Sequence, residues 1–376
     1  MSIHNKHRAT TGLCVLKPEQ QAQWMDVLEQ SYQYDFYHLP QYHALAEEQA
    51  ESNAILFVYR EGAFLIAIPL LLRPMGAMPC HDTGVGEAWY DATCVYGYAG
   101  PIASHMDIPE SVLGNFRAAL RETLLARRVV AVFSRLHPLI SQRGLLAGLG
   151  ECTPMGQTVS IDLTLPIEVQ RSRYRNNHKR DINKLGRLGA TCLRDENRVY
   201  LDEFVDIYYE TMRRVDASDT YFFERTYFER LTSALEPQFH LFVCSLSDTV
   251  VCGGLFALCD GIVQYHLGGT RDDFLRLAPL KFVFEAVRLW ANECKARVFH
   301  LGGGVGAQED PLFHFKAGFS DQRHEFAIWR WILLPDVYET LCQEKAQWRE
   351  RYNLNPSRSE YFPAYRCPDC PCIELE

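Results

Sequence analysis

Most hallmarks that would assign a 376-residue chain at sight are missing from this one. The longest apolar run, Ala63–Leu72, carries Pro69 and falls well short of the roughly 20 residues that span a bilayer, so it reads as a buried strand. Met1–Leu16 has basic residues but no apolar core of a secretory signal. Gly-x-x-x-x-Gly-Lys-Ser/Thr does not occur, and no Gly-x-Gly-x-x-Gly runs into a long helix, which excludes a Walker phosphate loop and the dinucleotide fingerprint. Without Gly-x-Ser-x-Gly there is no nucleophile elbow, and without His-Glu-x-x-His no zincin site. Basic residues are in deficit, 38 Lys and Arg against 47 Asp and Glu, and a net charge of −9 excludes a general nucleic-acid coat.

What is present bounds the class. Hydrophobic residues at 47% and charged residues at 23% match a globular chain, and the length suits two domains. The 13 scattered cysteines read as reduced thiols of a cytoplasmic protein. The tail Cys367-Pro-Asp-Cys370-Pro-Cys372 offers three thiolates without a second half-site, so it is taken as a reactive tail and no metal is assigned. Isolated histidines such as His137 and His240 read as satisfied polar residues.

The order of elements occurs twice. In the first half a helix, Gln41–Ala50, precedes two apolar runs, Ala54–Tyr59 and Phe64–Leu72, around a Gly-bearing turn; this is a hairpin signal. A Tyr- and Gly-rich stretch, Val95–Pro101, follows, then a helix Ser111–Ala126 and a strand Val129–Phe133. In the second half a helix Tyr227–Leu235 opens with a capping-box pattern, Thr226 and Glu229. Strands Leu241–Cys244 and Val250–Leu258 form a hairpin, and Ile262–Leu267, which includes His266, runs into Gly268-Gly269-Thr270. A helix starts at Pro279 with Phe282, Ala286, Leu289 and Trp290 as its apolar stripe, and a strand Arg297–Leu301 follows. Glu325–Leu334 reads as a last strand, with Trp329 and Trp331 on one face.

Antiparallel strands followed by a helical crossover predict an α/β (α+β) fold with a mixed, mostly antiparallel sheet flanked by helices. This order resembles the GNAT acetyltransferase fold in tandem; the alternative is two unrelated α+β domains. The expected division is residues 1–155, 156–366 and a Cys-rich tail 367–376.

Two segments carry chemistry. A helix from about Pro166 bears seven Lys or Arg and one Asp between Arg171 and Arg187, with Ile167, Tyr174, Ile182 and Leu185 on one stripe. Its charges read either as an anion site for phosphate, with Arg175 and Arg180 as candidates, or as a solvated face. Second, His300-Leu301-Gly302-Gly303-Gly304 leads through Leu312 to Phe315-Lys316 and Gly318-Phe319. Glycines at a strand end let a ligand approach the backbone closely, and a cation and an aromatic lie beside that opening.

The triple glycine, Phe315-Lys316 and Gly318-Phe319 resemble the signature of the Fem aminoacyl-tRNA-dependent transferases and their GNAT-like relatives. Asp35–Tyr42, Tyr96–Pro101, Tyr208–Met212 with Tyr221–Phe223, and Tyr361–Arg366 agree with it, so the resemblance spans nearly the whole chain. It implies transfer of an aminoacyl group from tRNA to an amine acceptor, with no further cofactor and no membrane span. It places Phe315 and Lys316 at the acceptor end of the tRNA. Lys316 is expected to steady the oxyanion, with Tyr96, Tyr98, Arg175, Arg180, His266, Arg271 and Gly302–Gly304 around the substrates. The runner-up is an acyl-CoA N-acyltransferase, whose phosphate loop would fall on Thr270–Ala278; that stretch lacks the expected glycines, though Arg271 and Arg276 offer charge. A third class is a binding protein that kept the fold.

Overall fold

The structure is a computed structural model that describes residues 11–77, 89–355 and 361–368. The chain divides into two compact units: the described residues of Met1–Pro154 with Phe326–Cys372, and those of Met155–Glu325.

The first unit begins with β1 (Gly12–Leu16), α1 (Gln21–Glu29) and α2 (Pro40–Ala50). The predicted hairpin is β2 (Asn53–Glu61) and β3 (Phe64–Pro74), paired in register from Asn53↔Leu72 to Glu61↔Phe64. β4 (Tyr90–Thr93) and the short β5 (Ile102–Ala103) both pair antiparallel with β3. α3 (Glu110–Ala126) then crosses to β6 (Val129–Arg135), which lies parallel to β4. α3 buries Val112, Phe116, Leu120 and Leu124, one helical stripe at spacing four, onto this sheet.

β7 (Glu151–Asp162) carries the chain into the second unit. The basic segment is two helices, not one: α4 (Ile167–Ser172) and α5 (Asn176–Arg187). The break has a tertiary cause, because the Arg175 N–H donates to the Gly318 carbonyl at 2.8 Å instead of continuing the helix. Next come β8 (Thr191–Asp195), α6 (Leu201–Arg214) and α7 (Arg225–Ala234). The capping box expected at Thr226 does not form: Glu224 is the N-cap, and it makes no side-chain cap. β9 (Phe239–Leu246), β10 (Thr249–Cys259) and β11 (Ile262–Thr270) form an antiparallel meander with β8. α8 (Leu280–Glu293) crosses to β12 (Val298–Gly302), parallel to β11. α9 (Pro311–Lys316) follows.

The stripe predicted for α8 is the flank of its buried face. Val283, Phe284, Val287 and Ala291 are buried in the core, Phe282 and Trp290 pack half-buried against it, Ala286 is half-buried and Leu289 is exposed. The apolar residues of α8 cover a broad arc, and Lys281, Glu285 and Arg288 on its polar side are buried too, so periodicity did not select the centre of the face that meets the sheet.

The last strand corrects the domain reading. β13 (Gln322–Ile332) follows β12 in sequence, yet it pairs with β6 of the first unit, from Ile328↔Arg135 to Ile332↔Ala131. In the second unit the strand flanking β12 is β7, which follows β6 in sequence. Each repeat thus takes one strand from the stretch after the other's crossover, and residues from Phe326 belong with the first unit rather than the second. α10 (Pro335–Arg351) packs there beside β6. Trp329 is fully buried in the first unit's core and donates to the Leu149 carbonyl. Trp329→Ala should cost about 3–5 kcal/mol. Hydrogen exchange checks where that loss falls: protection should drop in β6 and hold in β12, and the reverse pattern would contradict the grouping.

Candidate functional site

The parallel pair β11–β12 is brief. Ile262, Val263 and Gln264 pair with Val298, Phe299 and His300. Beyond that point β11 stays with β10 as far as Thr270, while β12 stays with β7 through Gly302↔Val159. Two parallel neighbours that each follow a different partner must part, so an opening forms between Tyr265 and the end of β12. A bulge sharpens it: Leu255 faces Leu267 but Phe256 faces Tyr265, leaving His266 as the extra residue.

Lys316 occupies this opening. It is 6% exposed, and its Nζ donates to the Gly303 carbonyl at 2.5 Å and lies 5.7 Å from the centroid of the Tyr265 ring. Gly302 has φ of +79°, and a Cβ there would sit 3.2 Å from Lys316 Nζ, so glycine serves both the backbone turn and the approach of the ammonium. Burial pushes the Lys316 pKa down to about 8, against the attraction of the Asp310 carboxylate. Asp310 is the N-cap of α9 and accepts from the Phe313 N–H at 2.7 Å and the Val305 N–H at 3.1 Å. It thereby fixes the glycine loop and the helix bearing Lys316 together.

Phe315 points into the aromatic core of the second unit, with its ring 5.6 Å from Phe284 and from Phe319 and 5.8 Å from His178. His178 was missed as a site residue. It is buried, contacts the Phe315 carbonyl through Nε2 at 2.9 Å, and packs edge-on against Phe319 at 4.7 Å. Its partner there is a carbonyl oxygen, which can only accept, so Nε2 carries the proton. Burial lowers its pKa to about 4, with Lys281 and Arg175 adding repulsion, so it is neutral at pH 7. A Cβ at Gly318 would meet this ring at 2.2 Å, which is the spatial reason for the glycine before Phe319. The sequence signal was weak: His178 stood amid charges and resembled one more polar residue.

The other candidates separate. Arg175 joins the cluster, donating to the His314 carbonyl of α9 at 3.2 Å. Arg180 lies five residues on, on another face of α5; its side chain is 73% exposed and paired with Asp181 at 3.2 Å. Arg271 is committed to structure, donating to the Val250 carbonyl at 2.8 Å and pairing with Glu203 at 3.1 Å and Glu210 at 3.9 Å. His266 packs edge-on against Phe239, and burial takes its pKa down to about 3.

Tyr96 and Tyr98 belong to the first unit. Tyr42 donates to the Tyr96 carbonyl at 2.8 Å, and Tyr98 meets Tyr37, His137 and Phe326 edge-on. Beneath them lies a buried pair that sequence reasoning passed over: His137 Nε2 lies 2.9 Å from Asp35 Oδ2, both side chains fully buried. His137 Nδ1 accepts from the Leu139 N–H at 3.1 Å, so Nε2 is the donor to the carboxylate. Gln142 braces the pair, accepting from the His137 N–H and donating to the Ala99 carbonyl. Among the described residues no group of three or more His, Cys, Asp or Glu is arranged to hold a metal ion, and no helix is long and apolar enough to cross a membrane. Cys367 is buried, while Cys370 and Cys372 lie outside the described residues.

The Lys316 pKa has a consequence for stability. Its ordinary value is 10.5 and its folded value about 8, so the unfolded chain binds more protons between these limits. Stability should therefore rise with pH from about 8 towards 10.5, and the penalty is fully present below 8. Denaturant unfolding of the parent and of Lys316→Met checks it: the variant should lack this component of the rise, and parallel profiles would refute a buried lysine.

Comparison with known proteins bears on the fold. Residues 172–316 match the model of an acetyltransferase (GNAT) domain. No curated protein matches the sequence. Among solved structures, FemX is similar with a TM-score of 0.66 at 13% identity, over 88% of this chain and 99% of that one. L-PGS from Bacillus licheniformis gives 0.52 at 13% identity, over 85% and 95%. A conserved protein of unknown function from Bacteroides thetaiotaomicron gives 0.53 at 10%, over 85% and 99%. The chain shares its fold with FemX, and residues 172–316, within its second unit, match the acetyltransferase (GNAT) domain model.

Proposed function

We propose that this protein is an aminoacyltransferase that moves an aminoacyl group from aminoacyl-tRNA to an amine acceptor, a cell-wall, surface-polysaccharide or natural-product intermediate. The observation that carries this reading is the Lys316 ammonium held at the Gly303 carbonyl across the opening between β11 and β12. The acceptor amine attacks the ester carbonyl and forms the C–N bond, giving a tetrahedral oxyanion whose collapse re-forms the carbonyl and breaks the ester C–O bond. The amine's proton leaves with the ribose hydroxyl. Lys316 donates to the oxyanion from a buried position, where a fixed donor counts for more than it would in water. Its pKa of about 8 leaves it mostly charged at neutral pH. Holding two substrates in attack geometry supplies much of the remaining rate. His178 and Asp310 act as positioning residues by fixing α9.

The acyl-CoA reading fares worse at the turn that would cradle pyrophosphate. Asp272–Leu277 is a 3-10 segment whose first N–H, that of Asp272, is already taken by Glu210 at 2.6 Å. Arg271 is paired with Glu203 and Glu210, and Arg214 with Asp272. A diphosphate there would meet carboxylates and find occupied donors.

Lys316→Met keeps most of the buried stem and removes the charge. Single-turnover transfer from charged tRNA should fall by about 10²–10³, the usual loss for one oxyanion donor. In the parent the rate should decline as pH rises through about 8, because Lys316 then loses its proton. A near-parental rate for the variant, or transfer from acyl-CoA alone, would overturn the proposal.

A further inference from the structure

α5 presents two faces, and the Lys316 cluster uses only one. Its other face, with α8 and the start of β8, forms an open groove lined by Arg171, Arg180, Arg187, Thr191, Phe282 and Leu289, among others. The two walls differ in chemistry. On α5, Arg180 and Arg187 are exposed seven residues apart, two helical turns or about 10 Å along one face. On α8, Phe282, Ala286 and Leu289 repeat at helical spacing and form an apolar strip, whose Phe282 also packs against the core.

The charge of this groove is net positive by construction. Its one lining carboxylate, Glu285, is saturated: Arg288 donates to both of its oxygens at 2.9 and 3.0 Å, Arg171 to one at 3.0 Å and Tyr174 to the other at 2.9 Å. Asp181, which pairs with Arg180 at 3.2 Å, is also bound by Lys281 at 2.8 Å, so the two cations outnumber it. The arginines of the α5 wall therefore retain field for an incoming anion, in a chain whose overall charge is −9.

The apolar strip decides the kind of anion. Phe282 and Ala286 are half-buried between the helices, so the strip is recessed. A surface that inserts into a bilayer pushes its apolar residues outward. A recessed aromatic strip beside spaced arginines suits a ribose-phosphate strand, with phosphates on α5 and sugar or base faces on Phe282.

We propose that the α5–α8 groove is an RNA-docking track, separate from the Lys316 opening, that holds the ribose-phosphate backbone of the tRNA donor. The inference rests on the aminoacyl-tRNA reading above, but it is tested without chemistry. Uncharged tRNA is bound to the full chain and to the Arg180→Gln/Arg187→Gln double variant at several salt concentrations. The affinity of the variant should fall at least about tenfold, and the slope of log K against log salt should become shallower by about 1.4–1.8 for two lost phosphate contacts. Arg180→Lys/Arg187→Lys should restore most of the slope, and thermal melting reports that each variant is folded. An unchanged slope in a folded double variant overturns the groove while leaving the tRNA reading intact. No tRNA binding by the parent overturns both. Loss of binding to 1:1 phosphatidylcholine–phosphatidylglycerol vesicles with RNA binding unchanged would reassign the groove to a lipid surface.

Discussion

An ammonium group removed from water must be solvated by the protein, and the second unit is arranged around one such group. Lys316 sits where two parallel strands part, with a backbone carbonyl on one side and the Tyr265 ring on the other. Neither partner neutralises it. Burial lowers its basicity, and the nearby Asp310 carboxylate, whose two oxygens each accept a backbone N–H, draws it only part of the way back. A buried, uncancelled donor suits a negative charge that appears only during a reaction.

Several features follow from keeping that group in place. The Gly302 backbone must turn through positive φ beside the amine, and α9 must be pinned. The pin is His178, which a depressed pKa keeps neutral while it holds the Phe315 carbonyl and fills the space left at Gly318. The break between α4 and α5 belongs to the same device, because Arg175 spends its N–H on the Gly318 carbonyl. The first unit has its own buried polar centre, Asp35 and His137 beneath Tyr37 and Tyr98, braced by Gln142.

Much of this was legible in the residues. The hairpins, both crossover helices and the glycine-to-Phe-Lys segment follow from local pattern and turn chemistry, which act over a few residues. The exchange of β7 and β13 between the repeats did not, because strand pairing over such distances leaves no local trace. α8 misled for the opposite reason: its apolar residues cover a broad arc, and only the position of the sheet chooses the centre of the buried face. Asp35–His137 joins residues about 100 apart, and no spacing rule connects them. Arg271, a phosphate ligand on charge alone, proved to be an ion-pair partner of α6.

The account turns on where the reacting carbonyl sits. A crystal structure of the full chain with a short RNA bearing a 3′-amide-linked amino acid, a stable stand-in for the ester, tests it most directly. The account predicts that the amide oxygen lies within hydrogen-bond distance of Lys316 Nζ, in the opening between Tyr265 and Gly303. An amide seated elsewhere, with Lys316 still closed on the Gly303 carbonyl, would contradict it.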